Sequence, residues 1–168
     1  LNDFKREILK YTNPYNTKGT LKTALKNADV FIGVSMANQL TTEDVMTMNN
    51  APIIFPLANP IPEISPDKAY KGGAGVVGTG RSDVPNQINN VLAFPGIFRG
   101  ALDIRARRIT PRMKVAAAYA IANCVTDLHR DNIIPSTLDL NVAKSVAQAV
   151  KDAYLEDIKH METPKHAL

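Results

Sequence analysis

Glycine and carboxamide residues gather in three short stretches: Gly33-Val34-Ser35, Asn59-Pro60-Ile61-Pro62-Glu63, and Gly78-Thr79-Gly80-Arg81-Ser82-Asp83. The last runs on into Asn86-Gln87 and Asn89-Asn90. An asparagine amide donates to a carboxylate and accepts from a hydroxyl at once, and a 2-hydroxy acid offers both groups on adjacent carbons. Glycine lets a backbone approach a flat ring or a phosphate closely. Asn-Pro and Gly-Arg-Ser-Asp are also ordinary turn sequences, so for any one of these residues taken alone turn formation is the first explanation.

Other reactive side chains offer less. His129, His160 and His166 share no ligand-like i, i+4 spacing and are expected at helix ends or in the tail. Asp83 and Glu63 are the carboxylates nearest the glycine-rich stretches. Beside an anionic ligand an ionised carboxylate needs a metal or a cation; Asp83 is therefore expected to pair locally with Arg81, and Glu63 to serve as a helix-start charge. Cys124, the lone cysteine, excludes an internal disulfide and a zinc-type spacing, and its place in the apolar run 115–125 predicts a buried structural thiol.

The elements that would position these stretches alternate. A short amphipathic helix over 2–11, with Phe4, Ile8 and Leu9 on one side, breaks at Asn13-Pro14. Thr20 can cap a second helix over 21–28. The continuous apolar run 29–35 reads as a strand covered on both faces, as in a parallel sheet. Thr41-Thr42-Glu43-Asp44 matches a capping box with Asp at its end, followed by a helix to Met48, a second apolar strand over 52–58, a short helix with Pro66 in its first turn, and a third strand over 75–79. This order predicts an α/β fold: a partial Rossmann-like, doubly wound parallel sheet of about three strands, followed by C-terminal helices. In such sheets ligands bind beyond the carboxyl ends of the strands, where the three stretches fall.

From Asn89 onward helices are predicted over 89–104 (restarting near Pro95-Gly96), 111–125 and 139–158, with Ile133-Ile134-Pro135-Ser136 as an extended linker. The domain boundary is placed at 95/96: residues 1–95 as a partial Rossmann-like domain, 96–168 as a helical segment packing on it. Phe94 to Phe98 and Arg99 are expected to pack and anchor the helix behind Asn90. A start at Leu1 without Met predicts a piece of a longer protein, and 1–6 have no signal-peptide core. No apolar run approaches the roughly 20 residues that span a bilayer. The net charge of +4 is dispersed and no aromatics interleave with the basic residues, so neither nucleic acid nor membrane is an expected partner.

In order and spacing, 29–35, Leu57-Ala58-Asn59-Pro60 with Pro62-Glu63, Thr79 to Asp83, and above all Pro85 to Asp103 resemble the short, prokaryotic-type malic enzymes, the likeness running from about Asn27 to at least Val150. Pro56, Ile61 and Met36-Ala37-Asn38 depart from the residues usual there. The resemblance implies oxidative decarboxylation of malate to pyruvate and carbon dioxide with reduction of NAD or NADP, a divalent Mg or Mn ion, a homodimer and a cytoplasmic location. It implies that Asn59 and Asn90 bind substrate with Asn89 supporting the loop, and that Gly33, Val34, Ser35, Asn59, Thr79 and Gly80 line the cofactor pocket. The family's G-x-G-x-x-G fingerprint, lysine base, tyrosine acid and metal-binding carboxylates map to no position here; they are expected upstream, and with them the determinants of NAD or NADP preference, so the piece alone is expected to be inactive. The competing reading is a stand-alone, non-catalytic nucleotide-binding or interaction module; a third is another 2-hydroxy-acid or amino-acid dehydrogenase.

Overall fold

Capped helical turns punctuate the apolar runs of the first half. In the computed structural model, which describes residues 2–162, α1 (Asp3–Ile8) and α2 (Leu21–Leu25) precede β1 (Val30–Gly33), α3 (Thr42–Met46), β2 (Ile53–Pro56), α4 (Pro66–Lys71) and β3 (Val76–Val77). A 3-10 turn (Asn90–Leu92) then leads to α5 (Phe94–Asp103), α6 (Pro111–Ala122) and α7 (Leu140–Glu162). The chain divides into two compact units, residues 1–76 and 77–168. The change of character at 95/96 lies inside the second.

The three strands form one parallel sheet in the order β1-β2-β3, with Val30 opposite Ile53 and Gly33 opposite Pro56. Strand order runs one way, so right-handed crossovers carry α3 and α4 to the same face; α3 touches both α2 and α4. The α/β alternation expected from the sequence is thus present. Coverage of β1 on both faces is not. Phe31, Ile54 and Pro56 are buried, whereas Val30 and Ile32 are 46% and 62% exposed. A continuous apolar run cannot by itself say how many faces are covered, and here burial alternates with the pleat. On α1 no residue is buried, so the apolar side formed by Phe4, Ile8 and Leu9 faces solvent.

At the start of α3 the capping box is complete. Thr41 Oγ1 accepts from the Asp44 backbone N–H, and the Asp44 carboxylate accepts from the Thr41 backbone N–H at 2.9 Å. Burial opposes the charge on Asp44, yet these Thr41 bonds and Lys22 Nζ at 3.5 Å hold its carboxyl below the usual carboxylate range.

In the second unit α7 carries a stripe of Val142, Val146, Val150 and Tyr154, packed with Leu92, Met113 and Ala117 into one core. Gly96 and Gly100 let α5 approach α7 closely: a Cβ on Gly96 would fall 2.5 Å from Val146 Cβ, and one on Gly100 would fall 2.5 Å from the Ala147 carbonyl oxygen. Thr110 caps α6 and donates its hydroxyl proton to Asp157 at 2.6 Å, fastening α6 to α7. The restart at Pro95 holds, but Phe94 and Phe98 do not pack inward; they stack on each other at 6.0 Å on the half-exposed side of α5, because the inward side is occupied by the glycines. Cys124 follows the end of α6, half-buried rather than buried, with its thiol directed at the Ala120 carbonyl.

Asn86 joins two loops of this unit. Its Nδ2 donates to the carbonyls of Val77 at 2.9 Å and Arg130 at 2.8 Å, while Oδ1 accepts from the Ile133 N–H at 2.9 Å. Its backbone has φ +58°, a left-handed conformation that Asn tolerates better than most residues.

Two stability changes are expected, both measurable as urea midpoints. Gly100→Ala forces α5 from α7 and should cost about 2 kcal/mol, the usual range for overpacking. Asn86→Ala strands one buried and two part-buried backbone groups and should cost about 2 kcal/mol; a loss within about 0.5 kcal/mol of zero for either would contradict these contacts.

Candidate functional site

In the first unit, β1 and β2 end side by side, and the pairing continues one step as the Leu57 N–H donates to the Gly33 carbonyl at 2.8 Å. Between the loops beyond them lies the carboxylate of Glu63, fully buried. Its Oε1 accepts from the Ser35 N–H and its Oε2 from the Ala58 N–H, each at 3.0 Å. The Glu63 main chain is held too, its carbonyl accepting from the Leu40 N–H at 3.1 Å. Glu63 is therefore no helix-start charge: α4 begins at Pro66, and a carboxylate with two N–H partners close by gains more from turning inward. The signal available in the sequence was its place between Pro62 and Ile64, both buried.

Gly33 owes its missing side chain to the same group, since a Cβ there would stand 2.5 Å from Glu63 Cδ. Beyond it Val34 is 78% exposed and Ser35 is exposed. Asn59, after Ala58 and joined to Pro60 by a cis peptide bond, is exposed, and its amide bonds to no other group among the described residues. Gly33, Val34, Ser35 and Asn59 are thus brought to one rim of this unit.

In the second unit, Thr79 is buried and turned into its own loop. Its N–H donates to Asn86 O at 3.2 Å, its carbonyl accepts from Ile88 N–H at 2.8 Å, and its hydroxyl accepts from Arg81 N–H at 3.1 Å. Gly80 is half-exposed. The Arg81 guanidinium grips both oxygens of Asp83, with Nε at 2.8 Å from Oδ1, as expected from the sequence, and its hydrogen bond holds the Asp83 carboxyl below the usual range. Asn89 caps the 3-10 turn through Oδ1, which accepts from the Val91 N–H at 3.0 Å. Asn90 differs: it is exposed, and its side chain makes no hydrogen bond among the described residues.

Among the candidate site residues, each unit therefore presents one disengaged amide, Asn59 or Asn90, on a loop whose neighbours are fixed. Neutral amides hold an anion or a carboxamide without changing the site's charge. No group of three or more His, Cys, Asp or Glu side chains converges among the described residues. His129 is exposed, and its Nδ1 accepts from the Asp131 N–H; His166 and the His160 side chain lie outside the described residues. No helix among them is long and apolar enough to cross a membrane.

Comparison with known proteins supplies the context. The family model described as "Malic enzyme, NAD binding domain" matches residues 1–155. The bifunctional malic/malolactic enzyme of Bacillus subtilis is 56% identical over 158 residues, covering 93% of this chain and 38% of that protein. The NAD-dependent malic enzyme of Geobacillus stearothermophilus is 54% identical over 154 residues, covering 90% and 32%. Among solved structures, the malic enzyme of Pyrococcus horikoshii superposes with a TM-score of 0.89 at 49% identity, covering 93% of this chain and 37% of that one. NADP-dependent relatives also match, at 42% identity for that of Halomonas elongata. The chain spans about two-fifths or less of the length of these relatives, and it belongs to the malic enzyme family as part of the NAD-binding domain.

Proposed function

We propose that the protein to which this chain belongs oxidatively decarboxylates malate to pyruvate and carbon dioxide, reducing NAD or NADP. The observation that carries the proposal is the pair of exposed, disengaged amides, Asn59 and Asn90, on loops of a chain whose family model is a malic enzyme NAD-binding domain. Asn90 donates to a malate carboxylate. Asn59, beside the Ser35 loop, orients the substrate against the nicotinamide, and Gly33, Val34 and Ser35 run along that ring. Thr79 and Gly80 form a further wall, with Thr79 contributing through the loop conformation that its buried hydroxyl fixes, and Asn89 sets the turn from which Asn90 projects.

When bound, the nicotinamide accepts the hydride lost from the substrate's hydroxyl-bearing carbon. The residues of this chain bind and orient. On this reading a divalent Mg or Mn ion, and the groups that move protons, belong to parts of the protein outside this chain. A homodimer fits the family, and Cys124, a free thiol, suits the reducing cytoplasm, where we place the protein.

In the full-length enzyme, Asn90→Ala should raise the Michaelis constant for malate about tenfold or more, as expected from losing a hydrogen bond to a charged group worth ~1.5–3 kcal/mol. Steady-state kinetics with an unchanged constant would remove Asn90 from this role.

A further inference from the structure

Glu63 combines features that a simple fold-stabilising contact does not require. It is fully buried, it makes no ion pair among the described residues, and both oxygens are used on backbone N–H groups of different loops, 28 and 5 residues away in sequence. The loops are those that leave the two strand ends. Ser35 follows the exposed Val34, and Ala58 immediately precedes Asn59. We infer that Glu63 is a positioning residue, whose carboxylate sets the spacing between the Val34-Ser35 backbone and the Asn59 amide and thereby the affinity for nicotinamide cofactor and malate, without touching either. The inference rests on the reading above that these two loops form the binding rim.

The chemistry of the side chain supports the assignment. Two N–H groups converging on one side chain from different loops are met by two acceptor oxygens, and among side chains of this length only a carboxyl group carries two. Glutamine, equal in size, would turn an N–H toward one of the two N–H groups. Aspartate, one methylene shorter, cannot bridge both at 3.0 Å without moving a loop. The base of the lever is fixed as well: Pro62 and Glu63 carbonyls accept from Asn38 and Leu40 N–H groups, each at 3.1 Å. Gly33 leaves the space the carboxylate occupies; a methyl there would lie 2.5 Å from both Cδ and Oε1. Gly33→Ala should therefore displace the carboxylate without removing it.

The test uses the full-length protein carrying Glu63→Gln, Gly33→Ala or both, with Glu63→Asp taken instead if the glutamine variant does not fold. Three quantities are read: amide hydrogen exchange at Ser35 and Ala58, the dissociation constant for reduced cofactor by fluorescence titration, and kcat with KM for malate. Expected for Glu63→Gln are at least tenfold faster exchange at both amides, a roughly tenfold weaker cofactor and a similar rise in KM, with kcat within threefold of the parent. Gly33→Ala, a change within the proposed rim itself, is read by exchange alone: it should speed exchange at both amides to a similar degree, and the double variant should exchange little faster than either single one. Faster exchange with unchanged cofactor affinity and KM would overturn the inference, reducing Glu63 to a fold contact, and unchanged exchange would overturn it at its root. Asn59→Ala separates the two levels: if it leaves cofactor binding and KM intact, the rim reading falls and this inference with it, whereas if it weakens malate while Glu63→Gln does not, only the inference falls.

Discussion

Two backbone N–H groups, at Ser35 and Ala58, converge on one buried carboxylate, and the organisation of the first unit's rim follows from that convergence. A carboxylate taken out of water is costly unless its oxygens are bonded, so Glu63 constrains everything around it. A residue larger than glycine at 33 displaces the carboxylate, the strands end level, and the segment 38–40 lies against Pro62 and Glu63. The second unit applies the same logic with the opposite group. At Asn86 the partners are two carbonyls and one N–H, and an amide supplies two donor protons and an acceptor. Each polar side chain matches the donors and acceptors that the backbone leaves over.

Packing in the second unit explains how an exposed amide can still be well placed. Asn90 opens a 3-10 turn that Asn89 caps on one side and buried Leu92 anchors on the other. The turn runs into α5, which Gly96 and Gly100 lock against α7 at backbone contact. Asn90 is thus free in its side chain and fixed in its main chain, the condition for a binding group that need not be ordered when the ligand arrives. Asn59 has the same character in the first unit, where its neighbour Ala58 is held by Glu63.

Local signals in the sequence carry through to local structure. The alternation of apolar runs with capped helices gave the α/β order, Thr41 and Asp44 formed the box their spacing suggested, and Pro95 marked a helix restart. Arg81 and Asp83 paired as neighbours should. What escaped was long-range. The inward turn of Glu63 depends on an N–H group 28 residues away, and an apolar run such as 29–35 does not reveal that one face of the strand stays open. Phe94 and Phe98 looked like core because they are large, yet the close contact on α5 belongs to its smallest residues. Of the candidate site residues, the sequence singled out Asn59 and Asn90 for their amides; that these two are disengaged while Asn86 and Asn89 are committed to the backbone was decided by contacts no spacing rule contains.

The central claim is that the disengaged amides meet the substrate and the fixed ones do not. A crystal structure of the full-length protein with reduced cofactor and a malate analogue tests it most directly. The account predicts Asn90 Nδ2 within about 3.2 Å of a carboxylate oxygen of the analogue, with Asn59 beside the nicotinamide and Glu63 still bonded to the Ser35 and Ala58 N–H groups. An analogue bound out of reach of both amides, or a nicotinamide lying away from the 33–35 and 58–59 loops, would contradict it.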